Sequence, residues 1–319
     1  MKIVILDGYA LNPGDLDYGC IDQFGDVTLY QRTDTPEQAI ERIGNSEIVI
    51  LNKVSITEEI LSACPNIKLI CVQATGYNII DCDACRRHGV LVTNVPSYGT
   101  AAVAQFTMAL LLELCHQIGR HDASVHAGDW TRCDSFCYWL TPQMELAGKT
   151  MGIVGFGRIG QAVAKLASAF DMKILAHSRT EYPGFEGMVR YTSLDTLLEE
   201  SDIVSLHCPL FPETAGLINR DSIAKMKDGA ILLNTSRGGL VDEHALADAL
   251  VNGKLRAAAV DVVSAEPMDA DNPLLKAPNC IITPHIAWAP VESRQRLLNT
   301  VVDNIRCYLD GKPQNVVNP

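Results

Sequence analysis

Ten residues constrain this chain more than any others: Met151-Gly152-Ile153-Val154, an apolar run of strand length, leads directly into Gly155-Phe156-Gly157-Arg158-Ile159-Gly160. The stretch that follows, to Phe170, has helical periodicity, so the glycines fall where a buried strand turns into a helix. Strand, glycine turn and helix in that order commit the region to a βαβ arrangement, because a parallel neighbour is reached only through a crossover. Each glycine has a predicted task. Gly155 permits the tight turn, Gly157 lets the backbone approach a pyrophosphate, and Gly160 lets the helix pack closely on the strand. The helix N-terminus adds amides and the positive end of a dipole for the anion.

The same alternation extends in both directions. Downstream, strands are expected at Met151–Gly155, Lys173–Ala176, Ile203–Leu206, Ala230–Asn234, Ala257–Val262 and Ile281–Thr283, with helices at Ile159–Phe170, Leu194–Glu200 and Glu243–Val251. Upstream, strands are expected at Ile3–Leu6, Val27–Tyr30, Ile48–Leu51, Leu69–Gln73 and Val90–Thr93. Pro36–Ile43 and Ile56–Ala63 read as helices behind threonine caps. Gly99-Thr100 opens a long apolar helix to about Gly119, followed by an aromatic, loop-like segment from Gly128 to Pro142. A last helix, Glu292–Leu309, comes after the second sheet is complete and is expected to return to the first domain. The pattern predicts an α/β chain of two doubly wound parallel-sheet domains, residues 1–98 with 289–319 and residues 99–288. A length of 319 residues is enough for two cores.

Charge narrows the partners. With 26 basic against 38 acidic residues the formal charge is -12, which repels a phosphate backbone and argues against nucleic acid. Lys2-Ile3-Val4-Ile5-Leu6-Asp7 is interrupted too soon for a signal peptide, and the apolar stretch from Ala101 to Leu114 carries Gln105 and Glu113, so it reads as a buried helix rather than a membrane span. Eleven cysteines, an odd number, suit a reducing compartment, and a cytoplasmic protein with free thiols is expected. Cys82 and Cys85 have redox or zinc spacing but lack a second pair, and Cys133 and Cys137 lack histidine companions, so no metal site is predicted.

An NAD enzyme places a carboxylate at the end of the second strand of this fold to hold the adenosine ribose. Here that strand ends His177-Ser178-Arg179-Thr180. Hydroxyls and a guanidinium suit a 2′-phosphate, so NADP is expected in preference to NAD. The alternative is that Arg179 stacks on adenine with either cofactor.

Three residues fall just beyond strand candidates, where a parallel sheet presents its ligands. Arg237 follows Asn234-Thr235-Ser236, Glu266 follows Val262-Val263-Ser264-Ala265, and His285 follows Thr283-Pro284. Reduction of a 2-oxo acid needs a fork-shaped cation for the carboxylate and a proton donor at the carbonyl oxygen. Arg237 fits the first need and His285 the second, because an imidazole titrates near working pH. Glu266 would hold the far ring nitrogen and favour the imidazolium through its charge. Asp261 is read as a partner of the nicotinamide carboxamide. Taken singly, each has a plain alternative: a surface ion pair for Arg237, a helix-starting charge for Glu266, and a satisfied half-buried ring for His285.

Several runs together resemble the D-isomer-specific 2-hydroxyacid dehydrogenase family over nearly the whole chain. They are Val154 to Gly160, His207-Cys208-Pro209-Leu210 with Pro212-Glu213-Thr214, Asn234 to Glu243, Asp261-Val262 with Glu266-Pro267, and Thr283-Pro284-His285-Ile286-Ala287-Trp288. The resemblance implies a flavodoxin-like substrate domain and a Rossmann NAD(P) domain, with Arg237, Glu266 and His285 as the catalytic triad. It implies a cofactor lying against Phe156 to Ile159, Cys208, Pro209, Thr214, Thr235, Ser236 and Asp261. It also implies substrate contacts from Thr75 and Gly76 in the Ala74–Tyr77 loop and from Trp288. Lys53 is either an added cation for the substrate or a solvated loop charge. The first domain would close over the 2-oxo acid and exclude water.

The chain departs from the family pattern at Gln105 and Ser178, where acidic residues are usual. Phe136-Cys137-Tyr138-Trp139 and Trp288 are most similar to the glycerate dehydrogenase and hydroxypyruvate (glyoxylate) reductase branch, which implies a homodimer embraced by the aromatic segment. Trp139 either packs in that interface or reaches the partner's substrate. Other readings of the fold are a dinucleotide-sensing corepressor, a phosphoglycerate dehydrogenase, and formate dehydrogenase, which carries a glutamine where Glu266 stands.

Overall fold

Short runs of branched apolar residues become strands throughout the chain, each parallel to its neighbours, in a computed structural model that describes all residues Met1–Pro319. The contacts divide the chain into two units, Met1–Gly99 with Ala289–Pro319, and Thr100–Trp288.

Unit 1 is built from β1 (Lys2–Ile5), β2 (Asp26–Leu29), α1 (Pro36–Ile43), β3 (Ile48–Leu51), α2 (Glu58–Ala63), β4 (Leu69–Val72), α3 (Cys82–Arg87) and β5 (Leu91–Thr93). The strands lie in the order β2-β1-β3-β4-β5. Every residue of β3 and β4 is buried, as expected of parallel strands covered on both faces. Thr35 starts α1 by accepting the Gln38 amide at its hydroxyl (3.3 Å). Cys85 of the CxxC spacing is a core side chain on α3, and burial pushes its thiol up to about 12. All eleven cysteines are free thiols.

Unit 2 runs through α4 (Thr100–His116), α5 (Ile118–His126), β6 (Thr150–Val154), α6 (Arg158–Ala169), β7 (Lys173–His177), β8 (Val189–Tyr191), α7 (Leu194–Glu200), β9 (Ile203–Leu206), α8 (Arg220–Lys225), β10 (Ala230–Asn234), α9 (Glu243–Val251), β11 (Leu255–Val260) and β12 (Cys280–Ile282). Its seven strands lie in the order β12-β11-β10-β9-β6-β7-β8. The long apolar helix expected from Gly99 to Gly119 is two helices. Gln117 adopts a left-handed backbone (φ 46°, ψ 49°) and the axis bends by 55°. No single helix is long and apolar enough to cross a membrane.

The chain then returns to unit 1 as α10 (Val291–Leu309). Beyond it the tail lies along β5. Val316 bridges Thr93 in antiparallel fashion, the Val317 amide donates to Val92 O (2.9 Å), and the Asn318 side chain accepts from Val92 N (2.8 Å) and donates to Val90 O (2.9 Å).

Candidate active site

The glycine turn after β6 is shaped by one close approach. Gly155 has φ +93°, and a Cβ there would stand 2.5 Å from the Cys208 nitrogen, so only glycine lets the turn rest on the loop after β9. Its amide donates to His177 O on β7 (2.9 Å). Nothing lies within 4 Å of a Cβ built on Gly157, the residue that caps α6, so the backbone there is open to a ligand. The first amides of a helix have no intrahelical partner. An open glycine at a helix N-terminus on the carboxyl edge of a parallel sheet fits a dinucleotide pyrophosphate.

Phe156 meets the turn through its backbone. Its ring is fully buried and packs edge-on against Phe185 (5.0 Å) and Tyr191 (5.5 Å), so its side chain belongs to the core and only its backbone lines the turn. Ile159 also packs on that core, Arg158 is exposed, and Gly160 sits under the Gly155 carbonyl. At the end of β7, Ser178 is half-buried and Arg179 and Thr180 are exposed. The Arg179 guanidinium lies 5.9 Å from the centre of the Phe211 ring. The loop after β9 is held from within. Thr214 accepts from Phe211 N (2.7 Å) and donates to Pro209 O (2.9 Å), and the Ser236 hydroxyl donates to the carbonyl of the buried Cys208 (2.6 Å). Thr235 is buried against the Thr107 hydroxyl (2.9 Å).

The three catalytic candidates leave the carboxyl ends of β10, β11 and β12, which are adjacent strands. Asn234 closes β10 by donating to Arg237 O (2.9 Å) and accepting Ser236 N (3.0 Å), a turn the sequence signals by a polar residue ending an apolar run and by Gly238-Gly239 behind Arg237. Gly238 then seats that turn on the next loop, since a Cβ there would lie 1.9 Å from the Val263 carbonyl carbon. The Val263 amide in turn donates to Glu266 Oε1 (3.3 Å). Arg237 is exposed, donates to Ser236 O (2.7 Å), and has no carboxylate at ion-pair distance, which removes the surface ion pair as its explanation.

Glu266 Oε2 stands 2.7 Å from His285 Nδ1, and the two side chains are 34% and 32% exposed. A ring bonded at one nitrogen leaves the other for chemistry. His285 is itself in the left-handed region (φ 55°), and its amide donates to Asp261 O (2.8 Å) and Thr283 O (3.0 Å). Asp261 is 1% exposed. Its carboxylate accepts the Thr283 hydroxyl (2.6 Å) and the amides of Ile286 (2.9 Å) and Ala287 (2.8 Å), so its bonds hold the histidine loop from below. The Trp288 indole donates to His285 O (2.8 Å), which turns its polar group toward the same loop.

In unit 1, Lys53 and Thr75 are exposed and Gly76 is half-buried. The Lys53 amide donates to Asp7 (2.6 Å), and the Thr75 hydroxyl donates to Val95 O (2.8 Å).

Comparison with known proteins gives this geometry its family. Residues 108–287 match the model for the NAD binding domain of D-isomer specific 2-hydroxyacid dehydrogenases. Hydroxypyruvate reductase of Blautia hydrogenotrophica is 53% identical, with 100% of both chains covered. Glycerate dehydrogenase of Methylorubrum extorquens is 40% identical over 99% of this chain and 98% of the relative. The crystal structure of a Thermus thermophilus protein superposes with a TM-score of 0.89 at 36% identity, covering 99% of this chain and 100% of that one. With a matched domain that spans the glycine turn and the Glu266–His285 pair, and relatives aligned end to end, the chain belongs to the D-isomer-specific 2-hydroxyacid dehydrogenase family and is an NAD-linked oxidoreductase.

Proposed function

We propose that the protein reduces a small 2-oxo acid, hydroxypyruvate to D-glycerate or glyoxylate to the achiral glycolate. The observation that carries this reading is the Glu266–His285 pair at 2.7 Å, on the loop next to an arginine without an acidic partner. When bound to unit 2, the reduced nicotinamide supplies the hydride for the 2-carbon. Arg237 presents its planar guanidinium to the substrate carboxylate. His285 holds the proton for the carbonyl oxygen at Nε2, while Glu266 fixes the ring through Nδ1 and compensates the positive charge. Lys53, Thr75 and Gly76 are the substrate-binding residues of unit 1 in this reading. The relatives named hydroxypyruvate reductase and glycerate dehydrogenase favour the short, hydroxylated 2-oxo acids.

The test is the initial rate of absorbance loss at 340 nm with NADH and NADPH in parallel, against hydroxypyruvate, glyoxylate, pyruvate and an aromatic 2-oxo acid. Turnover fastest with hydroxypyruvate or glyoxylate is expected. A silent panel from protein that binds the cofactor tightly overturns the reading and favours a sensor.

NADP is the favoured cofactor in this reading, supported by the exposed Arg179 and Thr180 beside Ser178. Ser178→Asp is expected to raise the KM for NADPH about tenfold or more and to spare NADH, because a carboxylate repels the 2′-phosphate and accepts ribose hydroxyls. Equal effects on both cofactors would show that this strand end does not read the phosphate. A homodimer is supported by apolar side chains left in solvent on and after α5: Ile118 is 61%, Trp139 66% and Phe136 90% exposed. Eleven free thiols support a reducing compartment such as the cytoplasm.

A further inference from the structure

Asp7 lies two residues beyond β1 and is 6% exposed. Its Oδ1 accepts the Asn52 amide (2.8 Å), and its Oδ2 accepts the amides of Asn52 (3.0 Å) and Lys53 (2.6 Å). Successive amides that curl around one anion form a nest. Here the anion is the chain's own carboxylate, and it joins the carboxyl ends of the neighbouring strands β1 and β3. Burial pushes this carboxyl above the usual carboxylate range, and the amides of Lys53, Asn52 and Val54 pull it part of the way back.

The network continues to the next strand. The Asn52 side chain donates to Gln73 O (2.7 Å), and the Gln73 amide donates to Leu51 O (2.7 Å). The Tyr18 hydroxyl donates to Gly8 O (3.1 Å) and lies 3.5 Å from Gln73 Oε1. Asn52, Gln73 and Tyr18 are 7%, 0% and 9% exposed. Gln73 leads straight into the Ala74–Tyr77 loop. The turn that carries Lys53 and the loop that carries Thr75 and Gly76 are thus fastened to each other from beneath, through Asp7 and Asn52. Apolar side chains would hold the strands at least as well, since buried polar groups stabilise only when every member is bonded. What the polar network adds is a fixed placement of the two loops.

We propose that Asp7 is a positioning residue for substrate binding: its carboxylate sets the turn at residues 52–54 and, through Asn52, the loop at residues 74–77, so that Lys53, Thr75 and Gly76 meet the carboxylate of the 2-oxo acid in register. The inference rests on the assignment of those three residues to the substrate. In an Asp7→Asn side chain an NH2 group replaces one acceptor and faces an amide, so the turn loses a charged hydrogen bond without losing volume.

The experiment compares wild type, Asp7→Asn, Lys53→Met and the double variant with hydroxypyruvate at saturating cofactor. Asp7→Asn is expected to raise the substrate KM about tenfold with kcat within twofold, the scale of one lost charged hydrogen bond. The NAD(P)H dissociation constant, read by fluorescence, is expected to stay unchanged. The double variant is expected to show a smaller KM rise than the product of the single effects, because Asp7 acts through the turn that bears Lys53. An unchanged KM in Asp7→Asn, or effects that multiply in the double variant, overturns the proposal. Should Asp7→Asn not fold, Asn52→Ala carries the test, because it removes the bond from that turn to Gln73 O; a KM rise of roughly twofold to tenfold is expected, and an unchanged KM overturns the proposal. An inactive wild type would instead overturn the function proposed above.

Discussion

At the carboxyl end of β6 the chain strips side chains away, whereas at the carboxyl ends of β10, β11 and β12 it surrounds them with partners. In the first region Gly155 rests on backbone, Gly157 faces open space, and the Phe156 ring is turned into the core. In the second, Asn234 ties the Arg237 turn, Asp261 holds three groups of the histidine loop, and Glu266 holds the ring. One sheet therefore meets two different demands. A dinucleotide phosphate is bound by letting backbone amides come close, which requires absence. Proton and hydride transfer requires groups held to within a fraction of an ångström, which requires support.

The contrast breaks most visibly if the supported region proves dispensable. His285→Ala is expected to lower kcat about 10²–10⁴-fold, the usual cost of losing a general acid, while cofactor affinity stays within twofold. Steady-state kinetics with a fluorescence titration check both, and turnover within tenfold of wild type would remove His285 from the chemistry.

The bare region is probed by two substitutions two residues apart. Gly155→Ala forces a Cβ into the Cys208 backbone at φ +93° and is expected to cost roughly 2–3 kcal/mol, a melting shift of about 5 °C or more. Gly157→Ala meets no atom of the protein and is expected to leave the melting temperature unchanged while weakening NAD(P)H about tenfold, since the added methyl occupies ligand space. Similar melting shifts in both variants would mean that the turn serves folding alone.

The smallest effect sharpens the boundary between the regions. His207, half-buried after β9 with its Nε2 2.8 Å from the Ser205 hydroxyl, is pushed down to about 4 by burial. Between pH 6.5 and 4 the unfolded chain binds a proton that the folded chain excludes, so stability is complete above that window and falls as pH drops through it. Denaturant melts across the window are expected to show a loss of about 1–3 kcal/mol that His207→Asn lacks. An identical slope in the variant would assign the loss to other groups.

Much of this was legible in the sequence because parallel strands buried on both faces write themselves as uninterrupted apolar runs, as Ile48–Leu51 and Ala230–Leu233 do. The catalytic candidates were legible for the same reason, each standing just past such a run. Sequence position does not say which way a side chain turns. Phe156 sits among the fingerprint glycines yet points into the core, and Asp261 follows a strand yet spends its oxygens on the loop above it. The break falls at Gln117 rather than at Gly119, where the sequence marks an end, and β8 is three residues long after a stretch with two glycines. Asp7 was hidden because its meaning lies in the amides of residues far along the chain, although a carboxylate ending the run Lys2 to Leu6 is the trace it leaves.

The tail along β5 gives the unit 1 sheet a sense of direction. Val316, Val317 and Asn318 already occupy the outer hydrogen-bonding groups of Val90, Val92 and Thr93, so that margin is withdrawn from pairing with any strand of another molecule. Strand addition, by which sheets recruit extended peptides or polymerise, is left to the β2 margin alone, where the strand is four residues long and mostly exposed. The protein blocks the β5 margin with its own tail.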